Sequence, residues 1–360
     1  TAQRTKLGSF QEGPRSAAAA PGPACYGRGG TEPTVTDADL LLGYLDAEFF
    51  LGGRMRLDRG AAQRAVEEHV AGPLGLDVTQ AAWGIHRVVN QNMAGAARIH
   101  GIERGKDLRS YPLFAFGGAG PVHCWQVATI LKTPRIILPF GAGAMSAYGL
   151  LAAPLAFDSV RPGRQRLDGA DWAAVNRLFA EMEDEGRALL ARAGVAASKV
   201  TVSRIAEMRY LGQGHEVEAA VPAGKLSAAS LAKITASFEA SYRALYHRLP
   251  QGVPIEALNW RVTVSGPDPK TKLGGHAKAD RAGRRTGDAG RSAVKGTRRA
   301  YFAERGGFVE TPVYDRYALA PGDALTGPAI VEERESTTVV PPGDRLEVDA
   351  RGNLRIRVTR

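Results

Sequence analysis

Apolar residues recur along this chain at helical spacing in some segments and at strand spacing in others. Residues 78–104, 172–193 and 228–247 each carry one apolar face with the period of a helix. Residues 200–210 and 255–264 alternate between apolar and polar side chains, as half-buried strands do. The two periods together predict a mixed protein of the α/β or α+β class.

A glycine turn separates a predicted strand from a predicted helix near residue 117. Residues 111–116 form an apolar run, and 121–132 have helical apolar spacing. Proline fits the first turn of a helix, and glycine lets a ligand approach backbone N–H groups closely. The turn is therefore a candidate nucleotide pocket. A purely steric need for glycine remains the alternative.

A second glycine turn follows the strand predicted at 135–139. Residues 136–157 carry no charge and are long enough to cross a bilayer, but prolines and glycines interrupt them. We interpret this stretch as a buried strand, a glycine turn and a short core helix, with no membrane function. The close succession of two βα turns favours an α/β layer.

Shifts in composition divide the chain into four predicted segments. An α/β segment covers 1–158, an α+β domain covers 159–268, a basic Gly/Arg-rich linker or loop covers 269–299, and a small β-rich module covers 300–360. The last segment consists of short strand-like runs between Gly/Pro turns.

The basic charge of the chain is concentrated in the predicted linker. Residues 270–299 carry ten Lys/Arg against two Asp, a net +8 of the total +10. Because the stretch lacks the interleaved aromatic residues of a single-strand binder, no nucleic-acid function is predicted. A solvated linker is favoured, and a contact with an anionic partner stays open.

The two cysteines, Cys25 and Cys124, have neither disulfide-framework nor zinc-site spacing. A reduced, cytoplasmic setting fits this usage, and the N-terminal residues lack the apolar core of a signal peptide. The sequence predicts no metal site on this chain.

Several segments resemble the hydantoinase A/oxoprolinase family. They are residues 13–17, 21–37, 49–53, 92–93, 114–123, 145–151 and 337–343. Members of that family resemble the actin/hexokinase/Hsp70-like ATPases. The resemblance therefore implies that 1–158 form the C-terminal half of such a nucleotide-binding domain, followed by the α+β domain and the β-rich module. By analogy of order, residues 117–121 correspond to the adenosine-binding turn.

The phosphate-binding turns of the Asp-Val-Gly-Gly-Thr type, which the family carries in its N-terminal half, do not occur in this sequence. The resemblance therefore implies one half of a split enzyme. A half-domain exposes core faces and sheet edges that require cover. We expect assembly with a chain that carries the phosphate turns, and with a hydantoinase-B-like subunit. Because the first residue is Thr, a piece cut from a longer protein is the alternative.

Within the family, the chain most resembles a subunit of an ATP-dependent ketone carboxylase of the acetophenone carboxylase type. There, the resemblance implies, ATP phosphorylates bicarbonate and the ketone enolate before the C–C bond forms. The implied cofactors are ATP and Mg²⁺, the ion being held mainly by the partner chain. The alternatives are an ATP-dependent hydrolase of cyclic amides, of the N-methylhydantoinase, 5-oxoprolinase or lactamase type, and a non-catalytic scaffold half.

The predicted site combines backbone and side-chain groups. The predicted nucleotide-binding residues are Gly117, Gly118, Ala119, Gly120 and Pro121. His123 is a candidate catalytic residue, with a hydrogen-bonded structural histidine as the alternative. Asp37 is a candidate base or ligand of Mg²⁺-bound water, with the N-cap of a helix at 39–45 as the alternative.

Overall fold

The computed structural model describes residues 2–4, 10–12, 16–270 and 293–358. Its helices are α1 (Val35–Leu41), α2 (Arg59–Val66), α3 (Gly72–Leu74), α4 (Val78–Glu103), α5 (Gly120–Leu131), α6 (Met145–Ala152), α7 (Trp172–Arg192) and α8 (Leu231–Tyr246). Its strands are β1 (Ala2–Arg4), β2 (Phe10–Glu12), β3 (Leu113–Phe114), β4 (Arg135–Leu138), β5 (Ala156–Arg166), β6 (Thr201–Tyr210), β7 (Val217–Val221), β8 (Ile255–Ser265), β9 (Val294–Phe302), β10 (Gly307–Asp315), β11 (Ala324–Thr326), β12 (Ala329–Glu332), β13 (Thr337–Val340), β14 (Arg345–Val348) and β15 (Leu354–Arg357). The chain divides into two compact units, 1–148 with 274–360 and 149–273.

The first unit contains two larger sheets, with strand orders β13-β12-β10-β9 and β11-β14-β15-β4-β3. Helices α1 and α4 pack on the first sheet through a core that includes Leu40, Ile85 and Ile330. Helix α5 contributes Cys124 and Ala128 to the core of the second sheet. These helices carry the candidate site, so their packing fixes its position.

The second unit is an antiparallel sheet, β5-β8-β6-β7, covered by α7 and α8. Phe179 of α7 meets Trp260 of β8 edge to face, with ring centroids 5.6 Å apart. Gly186 allows α7 to lie close to β8, because an added Cβ would come within 2.5 Å of a Val264 methyl group. The α+β character expected for this region is present.

Elements with strong periodicity agree closely with the sequence prediction. The helices predicted at 78–104, 121–132 and 172–193 are confirmed as α4, α5 and α7. The helix predicted at 39–45 is wrong in its bounds. It begins earlier, as α1, because the Thr34 hydroxyl accepts a hydrogen bond from the N–H of Asp37 and so starts the helix.

Strand β5 was not predicted, because Pro162 and Gly163 interrupt its apolar alternation. The structure accommodates them at an irregularity of register between Pro162 and Gln165. Strand β9 corrects part of the predicted linker, since residues 294–299 pair with β10. Its Arg298 forms ion pairs with Asp46 and Glu332, which the sequence pattern could not reveal. The rest of the predicted linker, 271–292, lies outside the described residues.

The strands of the predicted C-terminal module enter both sheets of the first unit. In particular, β15 pairs antiparallel with β4. The three boundaries between the four predicted segments stay a prediction, and the two compact units of the structure divide after residues 148 and 273.

Helix α6 differs from the core helix predicted after the second glycine turn. None of its residues is buried, and Leu150 is 80% exposed. Its apolar side chains therefore lie mostly at the surface of the described residues. Among all the helices of the described residues, none is long and apolar enough to cross a membrane.

Candidate functional site

A cavity of about 200 Å³ lies in the first unit, beside the glycine turn. Its walls come from α1, the segment 45–51, the start of α5, and the loop between β12 and β13. Gly118, Ala119 and Val122 line it on the α5 side, and Asp39 lines it on the α1 side. The predicted nucleotide turn therefore borders the cavity.

The turn itself is open to an approaching ligand. Gly117 has φ +88°, which favours glycine, and a Cβ added at Gly117 or Gly120 would meet nothing within 4 Å. Helix α5 begins at this turn with no side-chain cap. An uncapped helix N-terminus presents backbone N–H groups and a partial positive charge. The arrangement suits a hydrogen-bond acceptor on a ligand.

The β12–β13 loop holds both glycine turns in place. The Glu333 carboxylate accepts hydrogen bonds from the N–H groups of Gly141 (3.2 Å) and Ala142 (3.0 Å). The Ala142 carbonyl in turn accepts a bond from the N–H of Gly117 (2.8 Å). Burial raises the pKa of Glu333, while Arg316, 3.4 Å away, opposes that rise. The second turn is thus bonded on one side to the buried Glu333 carboxylate and on the other side to the first turn.

Most acidic groups around the cavity are paired with cations. Arg298 contacts both Asp46 (3.0 Å) and Glu332 (2.8 Å), and Lys295 lies 2.7 Å from Glu332. The Lys295 ammonium also lies 3.3 Å from the centroid of the Phe49 ring. This wall of the cavity is therefore partly aromatic, and the negative charges of Asp46 and Glu332 are balanced by Lys295 and Arg298. Both cations are already bound to these carboxylates.

Asp39, His86 and His123 meet in the interior, from α1, α4 and α5. The Asp39 carboxylate lies 2.6 Å from His86 Nδ1 and 3.3 Å from His123 Nε2, and all three side chains are buried. The two imidazoles stack with centroids 4.6 Å apart at 25°. Predicted catalytic candidate His123 therefore does not line the cavity; it contacts Asp39, which does.

Burial and mutual contact set the charges of this cluster. Burial raises the pKa of Asp39, but His123 and His86 outweigh it and lower the value to about 2. Burial lowers the pKa of His86 in spite of the raising effect of Asp39. At neutral pH Asp39 is an anion that can only accept, so His86 Nδ1 is the donor in their 2.6 Å hydrogen bond. With one carboxylate oxygen and two imidazole nitrogens within 4.8 Å, the cluster could hold a metal ion.

Asp37, the second catalytic candidate, lies elsewhere. Its carboxylate accepts bonds from the backbone of Ala24 and Cys25 and from both the N–H and the hydroxyl of Thr34. It occupies the third helical position of a capping box, with Thr34 as the N-cap. These contacts favour an anchoring function for Asp37.

We expect Asp37→Asn to lower the free energy of unfolding by about 2 kcal/mol, because the new NH₂ group faces buried donors that lose their acceptor. Denaturant unfolding measures this change. Asp58→Asn is the matched control. Asp58 caps α2 at an exposed site, where Asn caps as well as Asp, so little change is expected. A variant of Asp37 with full stability but greatly reduced turnover would instead favour the catalytic hypothesis.

Both cysteines are buried and unpaired with each other. Burial and the nearby Asp37 carboxylate raise the pKa of Cys25, and burial raises that of Cys124 to about 12. Neither thiol is thereby activated as a nucleophile.

Sequence reasoning missed Asp39 and His86 as site residues. Asp39 was assigned only to a helix, and His86 lies 47 residues away in the helix predicted at 78–104, outside the apolar face predicted for it. No local spacing joins them. Only a chemical argument could have indicated the contact. A histidine that is buried in a helix core needs a polar partner, and that partner must come from another element.

Comparison with known proteins covers nearly the whole chain. Residues 1–159 match the hydantoinase/oxoprolinase family, and 165–357 match the hydantoinase/oxoprolinase C-terminal domain. The caprolactamase subunit alpha of Pseudomonas jessenii is 34% identical over 349 residues, which are 95% of this chain and 49% of the relative. The acetophenone carboxylase gamma subunit of Aromatoleum aromaticum is 32% identical over 95% of this chain and 47% of its own length. The chain thus spans about half the length of these relatives.

A nucleotide-free structure of acetone carboxylase matches 99% of this chain and 51% of its own chain, with a TM-score of 0.72 and 26% identity. The predicted fold class, a mixed helix and sheet structure with an ATPase-like half, is confirmed by this match. The two family matches together cover residues 1–159 and 165–357, and the caprolactamase subunit is 34% identical over 95% of this chain. The chain therefore belongs to the hydantoinase/oxoprolinase family.

Proposed function

We propose that this chain supplies the adenosine side of an ATP site in an enzyme that activates its substrate by phosphorylation. The observation that carries the proposal is the uncapped start of α5 at an open glycine turn beside the cavity. A helix N-terminus of this kind suits the acceptor atoms of a nucleotide. The structural relative, acetone carboxylase, carries out ATP-dependent acetone carboxylation, and this likeness supports the choice of ATP.

The reaction that we propose is carboxylation of a ketone such as acetophenone with bicarbonate. Transfer of the γ-phosphoryl group to a bicarbonate oxygen gives an activated carboxyl group and ADP. Attack by the enolate carbon then forms the C–C bond and expels phosphate. The likeness to an acetophenone carboxylase subunit supports this choice.

Hydrolysis of a cyclic amide is the second candidate, favoured by the likeness to a caprolactamase subunit. Phosphorylation of the amide oxygen makes the carbonyl carbon a better electrophile. Water then attacks that carbon, the C–N bond opens, and phosphate is released. The two candidates share the ATP site and differ in the acceptor of the phosphoryl group. A scaffold half without turnover is the third.

We propose that the phosphate groups and Mg²⁺ are held mainly by another polypeptide segment or chain, with a hydantoinase-B-like subunit completing the assembly. Exposed apolar groups support this arrangement. Phe114 lies on β3, at the edge of its sheet, and is 50% exposed, and Leu150 of α6 is 80% exposed. Such groups at a sheet edge and on a helix are typical of surfaces that another element covers.

The function is tested on the assembly purified from its source, with ATP hydrolysis measured against each substrate class. Acetophenone plus bicarbonate should stimulate ADP release and yield a β-keto acid. Stimulation by lactams, 5-oxoproline or hydantoins instead would establish the hydrolase. No stimulated turnover by any of them, with ATP bound only by other chains, would leave the scaffold interpretation.

Gly120→Val should weaken ATP binding to the assembly by about 10-fold or more, or about 1.4 kcal/mol. A Cβ added at Gly120 meets no atom within 4 Å outside its own helix turn, so we expect the isopropyl group to occupy the open space beside the turn, where we propose that the nucleotide binds. Calorimetric titration with a non-hydrolysable ATP analogue measures the affinity.

Gly169→Val is the matched control. A Cβ added at Gly169 also meets nothing within 4 Å, and this glycine lies in the second unit, whereas the turn lies in the first. Its variant should bind the analogue with wild-type affinity. Equal affinity for the Gly120 variant would remove the turn from the nucleotide site.

A further inference from the structure

The Asp39, His86 and His123 cluster is composed of metal-ligating groups that converge from three different helices. Its ligand atoms lie within 4.8 Å of one another. A tetrahedral ion with bonds of about 2.0–2.1 Å places its ligand atoms roughly 3.3 Å apart. His86 Nδ1 lies 2.6 Å from one Asp39 oxygen and His123 Nε2 lies 3.3 Å from the other, so small side-chain rotations would bring three ligand atoms to this spacing.

Hydrogen bonding within the cluster does not account for all of its buried polar atoms. His123 Nδ1 has no hydrogen-bond partner among the described residues. Within residues 16–270 and 293–358, Asp39 forms ion pairs with the two histidines and with no lysine or arginine. An unpaired buried polar atom costs about 1–3 kcal/mol, whereas structural zinc supplies roughly 10–16 kcal/mol. Metal coordination would readily offset the cost of this arrangement.

We infer that Asp39, His86 and His123 form a site for a divalent transition-metal ion, with Zn²⁺ as the best match. Two imidazole nitrogens and one carboxylate oxygen suit Zn²⁺, while Mg²⁺ and Ca²⁺ prefer oxygen ligands. The site is separate from the Mg²⁺ that accompanies ATP, and it does not depend on the proposed function.

We place the open coordination position toward the cavity, because Asp39 is the member of the cluster that lines it. Trp83 stacks on His86 with ring centroids 5.6 Å apart, and His86 borders a second, smaller pocket. Three protein ligands and one open position are the arrangement of zinc sites that bind water or substrate. The ligand class for this position is therefore water or the oxygen of a small carbonyl or carboxylate compound.

The test measures metal content in the complete protein, in whatever assembly it is purified. The protein is stripped with a chelator, dialysed, reloaded with Zn²⁺ and analysed by mass spectrometry of metals. Wild type should hold one Zn²⁺ per chain more than Asp39→Asn or His86→Gln. His100→Gln, an exposed histidine on the same helix, should match wild type. Each cluster variant should weaken binding about 100-fold or more, because loss of an outer partner alone costs about 10–100-fold.

Cobalt replacement supplies a second measurement that needs no variant. Co²⁺-loaded wild type should show the visible bands of a four- or five-coordinate ion, and added azide should shift them through the open position. Stripped wild type that takes up no Zn²⁺ or Co²⁺ overturns the inference, even if every variant fails to fold. Equal metal content in wild type and in folded cluster variants also overturns it. Bound Co²⁺ whose bands azide does not change overturns the open position.

Discussion

Replacing Arg316 by methionine should lower the free energy of unfolding by about 3–5 kcal/mol, because it leaves the buried Glu333 carboxylate without its cation. Arg316 is fully buried and lies 3.4 Å from Glu333. Its guanidinium also donates to the Gly352 carbonyl and lies over the Phe140 ring. Denaturant unfolding measures the loss. Faster amide exchange at Gly141 and Ala142, whose N–H groups Glu333 accepts, should accompany it.

The double variant Arg316→Met/Glu333→Gln should be more stable than the single Arg316 variant. The neutral amide removes the uncompensated charge, and its oxygen can still accept a bond from the second glycine turn. If the double variant instead lost as much stability as the two single variants added together, the two charges would not be coupled.

Arg345→Met is the matched control for the same chemical change. Arg345 pairs with Glu347 at 2.8 Å, but the two side chains are 63% and 55% exposed. An exposed pair of this kind is worth about 1 kcal/mol or less. A similar loss in the two arginine variants would mean that burial does not decide the effect.

The sequence predicted the longer helices because their apolar faces repeat over many turns. Helix α4 also has a capping box, formed by Asp77 and Gln80, that fixes its start. The short C-terminal strands are different. The runs at β14 and β15 predict strands, but nothing local indicates that Leu354 pairs with Leu138 of β4. Strand existence is a local property, whereas strand partners are set by the tertiary fold.

The candidate site shows the same division. The turn at 117–121 could be predicted because glycine, proline and the helix start are neighbours in sequence. The cluster at Asp39 could not, because its members come from three helices whose relative packing no spacing records. His123 was found only through its nearness to the turn, and its real partners, Asp39 and His86, were not.

The hydrogen bonds that hold the second glycine turn likewise come from a segment that is distant in the sequence. Glu333 lies just after strand β12, with no sequence feature that marks it, yet its carboxylate accepts a hydrogen bond from Gly141 of the second turn, 192 residues away. The second turn then bonds to the first. The cavity wall and the predicted nucleotide turn are therefore joined by hydrogen bonds between segments that are far apart in the sequence.

Gly143→Ala should lower the free energy of unfolding by about 3 kcal/mol, at the upper end of the cost of overpacking. An added Cβ would lie 2.4 Å from the Cβ of Glu335 and 2.8 Å from its backbone carbonyl. Because backbone atoms cannot turn aside as the end of a flexible side chain can, the β12–β13 loop must move. Glu335 lines the cavity, so ATP affinity should fall along with stability. Denaturant unfolding and calorimetric titration of the assembly measure the two effects.

Gly149→Ala tests whether the methyl group or its location is responsible. Gly149 lies in α6, and a Cβ there meets nothing within 4 Å. Alanine should therefore stabilise the helix by about 0.5–1 kcal/mol. Opposite signs at the two glycines would show that position 143 requires glycine for close approach to the loop. A neutral Gly143→Ala variant with normal ATP affinity would mean that the loop yields freely, and that the second turn does not shape the cavity wall.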